Sequence, residues 1–223
     1  MYKACIFDLD GTLTDSLESM TYSVNETLKE LGLGQISSAQ CMNFAGNGAR
    51  RLIELSLQAA GDSQAESLDK ALELYLRIFE KNCNYQVAPY DGIVEMLQTL
   101  KEKGILLAVL SNKPHLQARD VVSTYFAEGT FTQVYGQQDG VPRKPDPTAV
   151  HIIMDEFNVS KEECLYIGDS DVDIQTGLSA GTTTVGVTWG FRSREVLIKN
   201  GATILVDKPE EIISIVLDEQ NRN

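Results

Sequence analysis

Two aspartates, Asp8 and Asp10, stand one residue apart at the end of a short apolar segment, residues 3–7. This segment predicts a buried β-strand, so both carboxyl groups fall where the strand ends. Gly11 lets the chain turn sharply at that point. Carboxylates held so close repel each other, and a fold keeps them when a cation lies between them or when one carries a proton. The pair therefore indicates metal binding or acid–base chemistry.

Further polar residues follow other predicted strands. Ser111 and Asn112 come after an apolar strand at residues 105–110, and Asp169 comes after a later one. Because ligands of an open parallel sheet bind beyond the carboxyl ends of its strands, these side chains should meet at one edge, joined by Lys144 from an intervening loop. Clustered carboxylates suit a hard divalent ion such as Mg²⁺. With Lys144 and the helix-start amides expected after Ser111, the ion would form a socket for a phosphate.

The patterns around these residues predict two kinds of structure. Residues 16–85 carry apolar positions at helical spacing and indicate no strand. From residue 86 onward, short apolar strands alternate with helices, which is typical of a parallel sheet covered on both faces. We therefore predict an α/β fold, a doubly wound parallel sheet formed by residues 1–15 and 86–223, with an inserted all-helical cap domain at residues 16–85.

Composition narrows the expected partners and location. The 223 residues carry 32 acids and 19 bases, and the net charge of −13 argues against binding nucleic acid or an anionic membrane. There is no run of about 18 apolar residues and no recognisable signal peptide, so we expect a cytoplasmic protein. The four cysteines are far apart and predict reduced thiols. We expect a monomer or a weak homodimer.

Together these motifs resemble the haloacid dehalogenase superfamily of phosphohydrolases. Residues 8–16 (Asp-Leu-Asp-Gly-Thr-Leu-Thr-Asp-Ser) resemble the first family motif, Ser111-Asn112 the second, Lys144-Pro145 the third and residues 168–173 the fourth. They occur in the family's order across nearly the whole chain. Within the family, the helical stretch directly after the first motif and the segment at residues 44–48 are similar to phosphoglycolate phosphatases with a helical cap.

The resemblance implies a Mg²⁺-dependent phosphomonoesterase that acts on a small phosphoglycolate-like metabolite through an aspartyl-phosphate. Asp8 would be the nucleophile, and Asp10 would protonate the leaving oxygen and then deprotonate water. Mg²⁺ would be held by Asp8, the main-chain carbonyl of Asp10, and Asp169. An acid at position 10 disfavours the dehalogenases and phosphonatases of the superfamily.

The same resemblance assigns residues that would contact the phosphate or the rest of the substrate. Four of them would bind the phosphate: Thr12, Ser111, Asn112 and Lys144. Asp173 would orient Lys144 or a metal-bound water. The cap residues themselves, apart from the resemblance, indicate a flexible specificity loop at Gly48, with Arg50 or Arg51 available to meet a substrate carboxylate, although arginines in the first turn of a helix are more often solvated.

Several alternatives stay open at this point. The same machinery could act on inorganic pyrophosphate, a nucleotide or a sugar phosphate, or it could serve a phosphomutase. A phospho-accepting signalling module also uses aspartate, serine or threonine, lysine and Mg²⁺. Such a module would be about half this length and would carry its acceptor on a middle strand, so we favour the phosphatase.

Overall fold

A parallel β-sheet forms the centre of the structure, a computed structural model that describes residues 1–220. In this range the chain forms eight strands: β1 (Ala4–Phe7), β2 (Thr14–Asp15), β3 (Ala88–Pro89), β4 (Leu106–Pro114), β5 (Gln133–Gln137), β6 (Cys164–Gly168), β7 (Thr183–Val187) and β8 (Ile204–Val206). Six of them form the sheet in the order β5-β4-β1-β6-β7-β8, and all its neighbouring strands are parallel. The chain winds outward from β1 in both directions, so the predicted doubly wound sheet is confirmed.

Helices cover the sheet and fill the segment between β2 and β3. In the described range they are α1 (Leu17–Glu30), α2 (Ser38–Phe44), α3 (Gly48–Ala59), α4 (Leu68–Asn82), α5 (Ile93–Glu102), α6 (His115–Tyr125), α7 (Thr148–Phe157), α8 (Asp171–Ala180), α9 (Arg194–Lys199) and α10 (Pro209–Gln220). We call α1 to α4 the helical insertion. None of the helices in the described part of the chain is long and apolar enough to cross a membrane.

The sheet is buried on both faces because its central strands are continuous apolar runs. In β1, Cys5 and Phe7 join one hydrophobic cluster, which includes Ile93 of α5 and Ile212 of α10. The alternate residues of β1 join a second cluster on the opposite face, together with α7. This alternation follows from the two-residue period of a strand. The described helices therefore pack on both sides of the sheet, as the sequence predicts.

The chain enters and leaves the helical insertion along a two-stranded ribbon. Strand β2 pairs antiparallel with β3, with Thr14 opposite Pro89 and Asp15 opposite Ala88. The two connections between sheet and insertion thus lie side by side. The insertion contains no strand between residues 17 and 82, in agreement with the helical pattern. The division into a core and a cap domain at residues 16 and 85 stays a prediction.

Two elements differ from the sequence-based expectation. The strand predicted at residues 105–110 continues to Pro114, because Ser111, Asn112 and Lys113 are buried and their polar atoms find partners inside the protein. Residues 60–67 fall within the predicted helical stretch at residues 16–85, but they form no helix, and α4 begins only at Leu68. Before it, the Asp62 carboxylate accepts hydrogen bonds from the amides of residues 66 and 67, which favours a local turn over a helix.

Packing at the sheet centre gives a first prediction. We expect Ile6→Ala to lower the free energy of unfolding by about 2–5 kcal/mol, because Ile6 is fully buried in β1 and its removal leaves a cavity. Ile198→Ala is the matched control, since Ile198 is 54% exposed in α9 and should change stability by less than about 0.5 kcal/mol. Urea unfolding measures both. Equal midpoints would contradict the packing described for β1.

Candidate active site

The residues selected from the sequence gather where strands β1, β4 and β6 end. Asp8 follows β1, Ser111 and Asn112 lie near the end of β4, and Asp169 follows β6. Because β4 and β6 flank β1 and the winding direction reverses there, this edge is the crevice in which doubly wound sheets bind ligands. A cavity of about 600 Å³, including its solvent-filled mouth, lies between this edge and the helical insertion.

Lys144 joins two of the buried carboxylates. Its Nζ atom lies 2.9 Å from Asp8 Oδ1 and 2.8 Å from Asp173 Oδ1. Burial disfavours the charge of this amine, but the negative charges of Asp173 and Asp8 outweigh that effect and raise the pKa of Lys144 well above its ordinary value. The ammonium group therefore stays charged at the floor of the cavity.

Asp8 and Asp169 lack enough positive charge around them. Burial, the negative charge of Asp173 and that of Asp169 raise the pKa of Asp8 well above its ordinary value, although Lys144 opposes the change. Burial and Asp173 also raise the pKa of Asp169 to about 7. Asp169 accepts hydrogen bonds from the Phe191 amide at 2.7 Å and from Thr12 Oγ1 at 3.0 Å. These donors position the carboxylate and only partly offset its burial.

Asp173 is the carboxylate that the protein itself keeps ionised. Burial would raise the pKa of Asp173, but Lys144 and hydrogen bonds from Ser170 and Tyr166 hold it below its ordinary value. Ser170 Oγ donates at 2.5 Å and Tyr166 OH at 3.1 Å. Ser170 also caps α8 by accepting the Asp173 amide. Asp173 is thereby fixed at the start of α8 and holds Lys144 against Asp8.

The Asp10 carboxylate points to a different partner, which the sequence analysis missed. Asp10 Oδ1 accepts hydrogen bonds from Ser16 Oγ at 2.6 Å and from Lys113 Nζ at 2.8 Å. The Lys113 ammonium also lies over the ring of Phe79 in α4, 4.9 Å from its centroid. Alternation along an extended strand could have revealed Lys113, because it places residue 113 on the same side as Ser111. Ending the predicted strand at residue 110 hid that signal.

The acidic residues fit a divalent cation. Carboxylate oxygens of Asp8, Asp169 and Asp173 all lie within 4.8 Å of one another. With Asp10, four aspartates face two buried lysines at this edge, which leaves a formal excess of two negative charges. Hard oxygen ligands and this charge suit a hard divalent cation. The Asp10 carboxylate is not one of the three clustered groups and is paired with Lys113 instead.

The residues predicted to bind phosphate fall into different places. Ser111 and Asn112 line the cavity. The Asn112 side chain accepts the Lys144 amide at 3.0 Å and donates to the Lys144 carbonyl at 3.1 Å, so it positions that lysine. Thr12 is buried behind Asp169, outside the cavity lining. The expected helix-start amides do not follow Ser111, because α6 begins only at His115.

The structure does not bring Arg50 to the cavity. Gly48 lines it at the start of α3, but the Arg50 side chain is 52% exposed and donates to Asp69 Oδ1 at 2.9 Å. Arg51 is also on the solvent side, where it pairs with Glu54. The cause is helical phase, since α3 turns residues 49 and 52 toward the cavity and the two arginines away from it. Sequence alone did not fix that phase.

The connection between α2 and α3, which we call loop 42–48 and which includes the last turn of α2 and the first residue of α3, closes one side of the cavity and is held by residues of the sheet side. Arg192 donates to the carbonyl oxygens of Met42 and Ala45, both at 2.6 Å, and to Asp171 Oδ1 at 3.2 Å. The first two carbonyls lie near the end of α2, where a helix favours a cation. Asn112 Nδ2 and Arg143 Nη1 donate to further carbonyls of the loop, at 2.9 and 3.1 Å. Arg192 was not predicted from the sequence.

Removing the Arg192 contacts should loosen this loop. We expect Arg192→Gln to speed amide hydrogen exchange across residues 42–48 by roughly tenfold or more, because hydrogen bonds to charged groups contribute about 1.5–3 kcal/mol each. Arg194→Gln is the control, since its partner Asp207 is exposed and the pair lies outside the loop. Unchanged exchange in the first variant would show that Arg192 does not hold the insertion.

Comparisons with known proteins agree with this geometry. A phosphoglycolate phosphatase from Colwellia psychrerythraea is 32% identical over 215 residues, which covers 95% of both chains. One from Mannheimia succiniciproducens is 35% identical over 196 residues, covering 85% of this chain and 87% of the other. The solved structure of a predicted phosphoglycolate phosphatase from Haemophilus somnus superposes with a TM-score of 0.88 at 28% identity, over 96% of this chain and 97% of that one.

The family model described as haloacid dehalogenase-like hydrolase matches residues 5–187, which is most of the chain. This match includes most of β1, the two aspartates that follow it, the helical insertion, Lys144 and α8. The resemblance inferred from the motifs is confirmed, and the chain belongs to the haloacid dehalogenase-like hydrolases.

Proposed function

We propose that this phosphatase is a Mg²⁺-dependent phosphomonoesterase that acts on a small phosphoglycolate-like metabolite through an aspartyl-phosphate. The observation that carries the proposal is the placement of Asp8 against Lys144, at 2.9 Å, with Asp10 beside them. An ionised carboxylate, an adjacent fixed ammonium group and a second acid are the parts that phosphoryl transfer to an aspartate needs. The names of the two phosphoglycolate phosphatase relatives support the substrate class.

Asp8 is positioned to attack phosphorus. Its Oδ1 atom accepts hydrogen bonds from the Leu9 amide at 2.7 Å and from Lys144 at 2.9 Å, which fixes the carboxylate. A bond forms between an Asp8 oxygen and phosphorus while the bond to the leaving oxygen breaks in line. Water then attacks the aspartyl-phosphate, which releases phosphate and restores Asp8. Lys144, held by Asp173, stabilises charge on the transferring oxygens throughout.

Asp10 moves the protons of both half-reactions. It accepts hydrogen bonds from Ser16 and Lys113, an arrangement that suits it to accept the proton of the attacking water. It returns that proton to the leaving oxygen of the next ester, so the cycle balances. Thr12 does not contact the phosphate in this proposal but holds Asp169 in place.

Mg²⁺ would be held by Asp8, Asp169 and the main-chain carbonyl of Asp10. When bound, it supplies positive charge that reduces repulsion between the Asp8 carboxylate and the anionic phosphate. The excess negative charge at this edge and the burial that raises the pKa of Asp169 to about 7 support a cation at these oxygens. We also propose that the enzyme works in the cytoplasm on metabolites, as a monomer or a weak homodimer.

A phosphate-release screen tests the proposal. We expect wild type to release phosphate from small monoesters, phosphoglycolate foremost, only with Mg²⁺, and to lose the activity in a chelator and regain it on adding Mg²⁺. The panel includes pyrophosphate, a nucleotide and a sugar phosphate, which represent the rival substrates. Asp8→Asn should abolish release, whereas Asp155→Asn, a control at an exposed position in α7, should not. If Asp8→Asn released as much phosphate as wild type, Asp8 could not be the nucleophile.

The contacts of Lys144 predict a separate loss. We expect Lys144→Ala to lower kcat/KM by roughly 10²–10³, since one fixed electrostatic donor at a transition state is worth about 3–4 kcal/mol. Lys161→Ala serves as the control because the Lys161 side chain is 57% exposed. Circular dichroism checks that both variants fold. Normal turnover by Lys144→Ala would remove the role assigned to this lysine.

A further inference from the structure

Lys113 is a buried cation that faces the cavity and whose contacts leave room for an anion. Its side chain is only 2% exposed and it lines the cavity wall. The described contacts of its Nζ atom are one carboxylate oxygen, Asp10 Oδ1 at 2.8 Å, and the face of Phe79 at 4.9 Å. An ammonium group carries three donors, and an aromatic face attracts it without accepting a conventional hydrogen bond. The charge of Lys113 is therefore available to a ligand beside Asp10.

The other cations that line the cavity are occupied more fully. Lys144 contacts two carboxylates, Asp8 and Asp173, at the phosphate end of the site. The Arg192 guanidinium donates two short hydrogen bonds to carbonyl oxygens of the insertion and a third to Asp171. Among the cavity-lining residues that the structure describes, Lys113 is thus the cation left to meet a charge on the substrate beyond its phosphate.

The surroundings of Lys113 sharpen what it can bind. The insertion contributes an apolar wall around it, formed by Met20, Ala45, Ala49, Leu52, Tyr75 and Phe79. An anion desolvated against such a wall is costly unless a cation pairs with it. Along this wall, an anionic leaving group is therefore favoured next to Lys113. A neutral leaving group would gain nothing from this lysine.

We propose that Lys113 is a specificity-determining residue that binds a carboxylate carried on the ester carbon of the substrate. The inference rests on the proposed function, because it takes Asp10 as the residue that donates to the leaving oxygen. A group that donates to that oxygen must lie within hydrogen-bond reach of it. Lys113 is bonded to the same carboxylate, so a substituent one bond beyond the ester carbon meets its ammonium group. The phosphoglycolate-like ester of the proposed function carries such a carboxylate, and what the inference adds is the residue that binds it.

The test compares two esters on the same enzyme. Phosphoglycolate carries the carboxylate, and ethyl phosphate replaces it with a methyl group. For wild type we expect kcat/KM to favour phosphoglycolate. In Lys113→Met that preference should fall by roughly 10- to 100-fold, because a hydrogen bond between charged groups is lost only for the carboxylate ester. Lys113→Arg, which keeps the charge, should retain more of the preference than the methionine variant.

The ratio of the two esters separates specificity from a general effect on Asp10. If Lys113 acts only as a partner of Asp10, its loss slows the hydrolysis of both esters by the same factor. If it binds the carboxylate, its loss slows the hydrolysis of phosphoglycolate alone. Lys29→Met is the matched control, since Lys29 pairs with Glu26 on the exposed side of the insertion and should leave both rates unchanged. Inhibition by glycolate gives a second readout, which should weaken in Lys113→Met.

Each outcome decides the matter. The inference is supported if the ratio of kcat/KM for phosphoglycolate to kcat/KM for ethyl phosphate is lower in Lys113→Met than in wild type and glycolate inhibits the variant more weakly. An unchanged ratio in Lys113→Met overturns the inference and leaves the proposed function intact. A wild type that hydrolyses both esters without preferring phosphoglycolate overturns the inference and the proposed substrate, but not the phosphatase activity. A wild type that releases phosphate from neither ester overturns the proposed function, and the inference with it. If Lys113→Met does not fold, Lys113→Gln, which also removes the charge, replaces it, and the same ratio and the same glycolate inhibition decide.

Discussion

The crowding of carboxylates at the carboxyl ends of β1 and β6 is the constraint on which the rest of the site depends. Lys144 neutralises it only in part, because the same ammonium group contacts both Asp8 and Asp173. The close approach also dictates backbone composition, since a Cβ at Gly168 would lie 2.3 Å from Asp173 Cβ and one at Gly11 would lie 2.4 Å from Asp169 Oδ2. Glycine is required at both strand ends so that the carboxylates can approach, and the remaining negative charge calls for a cation.

The helical insertion is tied to this charged edge by the residues that organise it. The side-chain amide of Asn112 binds the main-chain N–H and C=O of Lys144. Its Nδ2 atom also donates to a carbonyl oxygen of loop 42–48. Arg192 likewise joins Asp171, at the start of α8, to two carbonyls of that loop. Movement of the insertion away from the sheet would therefore break charge-assisted hydrogen bonds that also position the site. Enclosure of the cavity and order within it are coupled through these side chains.

Sequence patterns predicted the features that depend on neighbouring residues in the chain. They missed the features that depend on packing between distant segments. The apolar runs of β1 and β6, each ended by acids, identified the sheet and the places of Asp8, Asp10 and Asp169. The failures arise mainly from packing between distant parts of the chain. Arg50 faces solvent because of the helical phase of α3, and Lys113 and Arg192 act through partners more than thirty residues away in the chain. A polar residue that continues a buried strand was the one signal available for Lys113.

The two acids that open the site differ because different parts of the fold surround them. Asp8 lies against Lys144, and the side-chain partner Asp173 and the main-chain partner Asn112 of this lysine both belong to the sheet side. Asp10 lies against Lys113, whose ammonium group rests on Phe79 of α4. The charge beside Asp10 therefore depends on the insertion being in place. In the proposed mechanism, attack on phosphorus therefore relies on residues of the sheet side, whereas proton transfer to the leaving group and its recognition also rely on the insertion.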